Sequence, residues 1–145
     1  MIERPIEVET RIAAPPEVVF AYFIDPELYR RWKGTSAELD ARPGGLYQVV
    51  MPSGDLVRGE YVHVEPPRRI VFTWGFEGSA GLPPGSSTVE VTLRADGDGT
   101  IVRLRHDGLP SDDSREQHRI GWRHYVDRLA IVAAGGDPGP DWGDD

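Results

Sequence analysis

The sequence contains no cysteine. Disulfides, thiol nucleophiles and thiolate metal sites are therefore excluded. It has no apolar run approaching the roughly 18 residues that a membrane-crossing helix requires. No apolar stretch follows Met1-Ile2-Glu3-Arg4-Pro5, so no secretory leader is expected and a cytoplasmic location is the simplest reading. There is no basic excess either. The net charge is −8, and the stretch from Gly135 supplies half of it through Asp137, Asp141, Asp144 and Asp145. The arginines elsewhere are scattered among carboxylates, which argues against nucleic acid as a partner. Also missing are a Gly-x-Ser-x-Gly elbow, a phosphate-binding glycine loop and a His-x-x-x-His pair. Asp96-Gly97-Asp98-Gly99 superficially resembles a calcium loop, but the remaining oxygen ligands and the closing glutamate are absent. No metal and no cofactor is expected.

What is present fits one folded domain. A chain of 145 residues with 39% hydrophobic content can bury a real core. One long helical pattern runs from Asp112 to Ala134. Trp122, Tyr125, Val126, Leu129 and Val132 recur on one face of a helix with a period of about 3.6 residues. Ser111 to Ser114 offer caps, and Gly135-Gly136 with Pro138 ends the pattern. Near the N-terminus, Ile6, Val8, Thr10 and Ile12 alternate with charged residues as a half-buried strand. Two short helices follow, Glu17 to Ile24 and a second opening at Asp25-Pro26, where Asp25 caps and Pro26 takes the first helical position. Gly34 closes the second. The period then changes to two. Strands are expected at 37–41, 46–51, 57–64, 69–74, 88–95 and 101–107, with a mobile loop over 75–86. The inward face of the run 57–64 is ambiguous. Val57, Gly59, Tyr61 and His63 form one set, and a bulge at Gly59 would flip the remainder. Residues 1–134 read as a single domain. Residues 135–145 read as a disordered acidic tail carrying Trp142.

Several stretches carry a family resemblance. They are Ile12-Ala13-Ala14-Pro15-Pro16-Glu17-Val18-Val19-Phe20, Asp25-Pro26-Glu27-Leu28-Tyr29-Arg30-Arg31-Trp32, Pro43-Gly44-Gly45-Leu46-Tyr47, Gly59 through Trp74, and Gly121-Trp122 through Leu129. Together and in this order they resemble the SRPBCC/START-like superfamily, most nearly the branch similar to the C-terminal domain of the activator of the heat-shock protein 90 ATPase. The resemblance implies an α+β helix-grip (START/Bet v-like) fold of order β-α-α-β6-α, in which a curved antiparallel sheet wraps a long C-terminal helix. It also implies, for many relatives, an apolar small-molecule cavity between helix and sheet. Fold alone does not settle function in this superfamily.

The residues expected to line such a cavity are Trp32, Tyr47, Val49, Gly59, Tyr61, Phe72, Trp74, His106, His118, Gly121, Trp122 and Tyr125. For the aromatics, plain core packing is the alternative. Gly121 stands inside a helix, where glycine costs about 1 kcal/mol relative to alanine. Either a strand approaches it closely or it leaves room for a ligand, and Gly59 poses the same question within a strand. The leading expectation is binding of a small apolar or lipid-like molecule by a monomer or homodimer. One alternative is a co-chaperone-like module with a protein partner. Another is an enzyme acting on a bound hydrophobic substrate with His106 or His118 handling protons. No residue is singled out as catalytic.

Overall fold

The computed structural model describes residues 5–139. Trp142 and the end of the acidic stretch lie outside the described residues. The elements run β1 (Ile6–Ile12), α1 (Pro16–Ile24), α2 (Pro26–Tyr29), β2 (Ser36–Leu39), β3 (Leu46–Val50), β4 (Leu56–Glu65), β5 (Arg69–Trp74), β6 (Ser87–Asp96), β7 (Gly99–Asp107) and α3 (Asp112–Ala133). The strands form one seven-stranded sheet of order β1-β7-β6-β5-β4-β3-β2. All its pairings are antiparallel. The curved sheet wraps around α3, which is the helix-grip arrangement. No helix among the described residues is long and apolar enough to cross a membrane.

Side-chain alternation explains which face is inward. On β1, Ile6, Val8 and Ile12 are buried while Glu7, Glu9 and Arg11 are exposed. On β5, Ile70, Phe72 and Trp74 point one way into the core. Asp25 links the two short helices. Its carboxylate accepts from the amides of Glu27 and Leu28, just where Pro26 lacks an N–H. Ser111 caps α3 by accepting from the Ser114 amide at 3.1 Å. At the other end, Gly135 takes φ 94°. There the Gly136 amide donates to Ile131 and the Gly135 amide to Val132, which satisfies the last carbonyls of the helix.

Two local expectations need correction. The slip in β4 falls between Tyr61 and His63, not at Gly59. Val62 becomes the extra residue and is 50% exposed, after which Val64 packs against the core. His63 leaves the inward set and meets Glu65 at 3.2 Å. The segment 75–86, expected to be a mobile loop, is tied down at several points. Phe76 bridges to Val57, its amide donates to the Leu82 carbonyl at 2.8 Å, and Leu82 is buried in the core. This places Phe76 beside the mouth of the grip.

Candidate functional site

Helix α3 presents His118, Gly121, Trp122 and Tyr125 to the sheet, a stripe at spacings of three, four and seven. Opposite them stand Trp74 at the end of β5, Phe76 just beyond it and Met51 just after β3. These residues, with Lys33 and Gln117, line an apolar cleft of about 210 Å³. A Cβ added at Gly121 would meet nothing within 4 Å. The missing side chain therefore leaves room in the cleft, which resolves the two readings of this glycine. Gly59 resolves the other way, because an added Cβ would lie 2.0 Å from the Thr73 carbonyl oxygen. It permits close approach of β5 and does not line this cleft.

Lys33 sits where a surface charge would be expected from sequence, yet it is 3% exposed. Lysine is almost never this buried without compensation. Its ammonium lies 4.5 Å from the Tyr125 ring centre, 4.8 Å from Trp74 and 5.1 Å from Trp122. It also donates to Met51 Sδ at 3.2 Å. Aromatic faces stabilise a desolvated cation through their quadrupole. The local signal was Gly34. It takes φ 84°, and an added Cβ there would strike Val49 Cγ1 at 2.6 Å. The chain is pressed against β3 at that point, which carries Lys33 inward.

Behind the cleft runs a buried hydrogen-bonded series. Trp122 Nε1–H donates to His106 Nδ1 at 3.0 Å. His106 Nδ1 is thus the acceptor, so Nε2 carries the proton and donates to Ser87 Oγ at 2.8 Å. The Ser87 hydroxyl in turn donates to the Trp74 carbonyl at 2.8 Å. Every member has a role in one direction only. Protonating His106 would set an N–H against the Trp122 N–H. Burial, then the neighbouring His118 and Lys33, holds its pKa well below the ordinary 6.5. This histidine is a satisfied core residue, 0% exposed, and is unsuited to exchanging protons with a substrate. Ser87 escaped the sequence reading, although stepping back by two from Val91 and Val89 reaches it.

His118 differs. Its Nδ1–H donates to the Ser114 carbonyl at 2.8 Å, which leaves Nε2 bare in the neutral ring. Burial and Lys33 lower its pKa, against an opposing push from the bond to Ser114. One wall atom is also unmet. Trp74 Nε1 is buried and has no hydrogen-bond partner among the described residues.

Five of the expected lining residues therefore border the cleft, namely Trp74, His118, Gly121, Trp122 and Tyr125. His106 stands behind it. Trp32, Tyr47, Val49, Tyr61 and Phe72 belong to the hydrophobic core and are not among the residues that line this cleft. There Tyr47 stacks on Phe72 with ring centres 4.1 Å apart. Trp32 Nε1–H donates to the Tyr22 carbonyl, and Tyr61 Oη–H donates to that of Phe23. The Tyr29 and Tyr47 hydroxyls bond each other. Burial raises the pKa of all three tyrosines, so they remain protonated donors. At that end the rings of Tyr29, Trp32, Tyr47, Tyr61 and Phe72 pack against one another. Lys33, Met51, Phe76 and Gln117 complete the cleft and were not anticipated as lining residues. No group of three or more His, Asp or Glu side chains that could hold a metal occurs among the described residues.

Comparison with known proteins bears on this site. The family described as Activator of Hsp90 ATPase homolog 1-like protein matches residues 13–134. No curated protein matches the chain. An AHSA1-like protein from Rhizobium etli, solved by solution NMR, is 47% identical with a TM-score of 0.76, over 95% of this chain and 86% of that one. An HSP90 activator from Plasmodium falciparum is 26% identical with a TM-score of 0.74, over 90% and 96% respectively. DynU16, from the dynemicin biosynthetic locus, is 26% identical with a TM-score of 0.81 over 94% of this chain. The present chain spans only 49% of DynU16.

Proposed function

The chain belongs to the Activator of Hsp90 ATPase homolog 1-like family, and from that premise we propose that it binds a small apolar molecule between α3 and the end of β5. Modules of this fold and family are associated with hydrophobic-ligand or co-chaperone function. The observation that carries the reading is the aromatic cleft left open by Gly121. Its walls are Trp74, Phe76, Trp122 and Tyr125, a mostly apolar lining with few polar groups, as small-molecule sites have. Its volume of about 210 Å³ falls below the roughly 300–1,000 Å³ typical of drug-sized ligands. A compact molecule of one or two rings suits it better than a lipid chain.

A ligand that binds only the folded state raises the melting temperature by mass action. Calorimetric melts with one- and two-ring aromatics should show a concentration-dependent rise. Gly121→Leu, which fills the cleft, should abolish that rise while the variant stays folded. If no such compound stabilises the protein, or if Gly121→Leu responds like the parent, the reading fails.

The likeness to the Plasmodium falciparum HSP90 activator favours a second reading, docking onto a chaperone. Chaperone capture that survives Gly121→Leu would support that role independently of the cleft.

A further inference from the structure

The cleft has a charge sign as well as a shape. Among the nine described residues that line it, none is a carboxylate and Lys33 is the one cation. His118 adds no charge above neutral pH, because burial holds its pKa below the ordinary 6.5. The Lys33 ammonium is set among the walls themselves. It lies 4.5 Å from the Tyr125 ring centre, 4.8 Å from Trp74 and 5.1 Å from Trp122, and all three rings border the cleft. Its position is fixed by the chain at Gly34, pressed onto Val49 with φ 84°, and by the bond to Met51 Sδ. Taking this charge out of water is a cost of folding, met before any ligand arrives. The rest of the chain has the opposite sign, with a net charge of −8. Its general field attracts cations and repels anions.

Resting on the ligand-binding reading above, we infer that the cleft selects an aromatic carboxylate, its ring against Phe76, Trp122 and Tyr125 and its charge complementing Lys33. A flat ring packs against such walls by stacking or edge contact. An aromatic box by itself suits a cationic ligand. Here the protein's own lysine takes the cation's place among the rings, so the remaining space favours the opposite sign. The carboxylate need not touch the ammonium. Coulomb attraction falls only as the inverse of distance and strengthens as water is excluded. A cleft of about 210 Å³ has no position far from its walls. The charge is also preorganised, so a matched anion has little ordering cost to offset. The bond from Trp122 to His106 and those through Ser87 to the Trp74 backbone brace the rings that surround it.

Beta-naphthoate and beta-naphthamide share a shape and differ in charge. Titrated into the full chain by calorimetry just above neutral pH, beta-naphthoate should bind tighter than the amide by at least about tenfold. Lys33→Met keeps much of the side chain's length and apolar bulk. It should erase that preference while the amide still binds, and Gly121→Leu should abolish binding of both. Equal binding of the two compounds to the parent, or tighter binding of the amide, would overturn the carboxylate inference and leave the apolar cleft intact. A preference that survives Lys33→Met would overturn it as well. Binding of neither compound would overturn the cleft reading and this inference with it. If Lys33→Met fails to fold, the parent still decides through the cationic analogue, beta-naphthylmethylammonium. The general field of the chain favours that cation, whereas Lys33 opposes it. It should bind more weakly than the amide, and binding as tight as the amide's rules the inference out.

Discussion

Two ends of the same grip are built from the same kinds of residue and behave differently. Phe72 and Trp74 are two positions apart on β5 and share an inward face. Around Phe72, every polar tip of Tyr29, Trp32, Tyr47 and Tyr61 has a partner. The rings there pack against one another, with centres 4.1 Å apart for Tyr47 and Phe72 and 4.9 Å for Tyr29 and Trp32. Around Trp74, the indole N–H is unmet, Gly121 leaves a gap in the helix face, and a cation is buried among the rings. The lesson is that an inward aromatic does not distinguish core from binding wall. What distinguishes them is whether its polar atom is already satisfied by the protein and whether a neighbour's side chain is missing.

The comparison can be broken most severely at the closed end. Trp32→Ala should destabilise by about 3–5 kcal/mol in denaturant melts, the usual loss for a buried large aromatic. A loss below about 1 kcal/mol would mean that this end is as loosely filled as the cleft. The glycines sharpen the contrast at smaller amplitude. Gly59→Ala should cost about 1–3 kcal/mol, because its new methyl meets the Thr73 backbone. Gly121→Ala should instead raise stability by up to about 1 kcal/mol, because the methyl enters open space on a helix. Equal effects at the two positions would contradict the different surroundings.

The smallest effect is expected from pH just below neutrality. Burial holds His106 and His118 below the ordinary 6.5. The unfolded chain then takes up protons that the folded chain refuses. Stability is accordingly full above that value and is lost as pH falls from 6.5 towards the folded pKa values. The melting temperature should decline over that window, and His106→Gln should decline less steeply. A parallel decline in the variant would show that His106 is not held neutral.

Much of the fold was legible because periodicity is a local property. The change of period after Gly34, the long amphipathic pattern of α3 and the capping residues at Asp25 and Ser111 follow from neighbours in the chain. The phase of β4 beyond Tyr61 was not legible, because the bulge at Val62 adjusts that strand to the curvature of its partner β5. Lys33 was missed because a charge next to Trp32 is ordinarily solvated. Only the convergence of Trp74, Trp122 and Tyr125 from β5 and α3 gives its ammonium an interior place.

The order of elements, the inward faces of most strands and the stripe of α3 that meets the sheet were all readable in local residue pattern. These follow from side-chain spacing and capping chemistry, which act over a few residues. Tertiary structure alone decided which aromatics close on one another and which leave a cleft. That outcome depends on distances between strands and helix that no local pattern encodes. It rests on a Cβ that would meet backbone at Gly59 and nothing at Gly121, and on an indole N–H at Trp74 that no neighbour reaches.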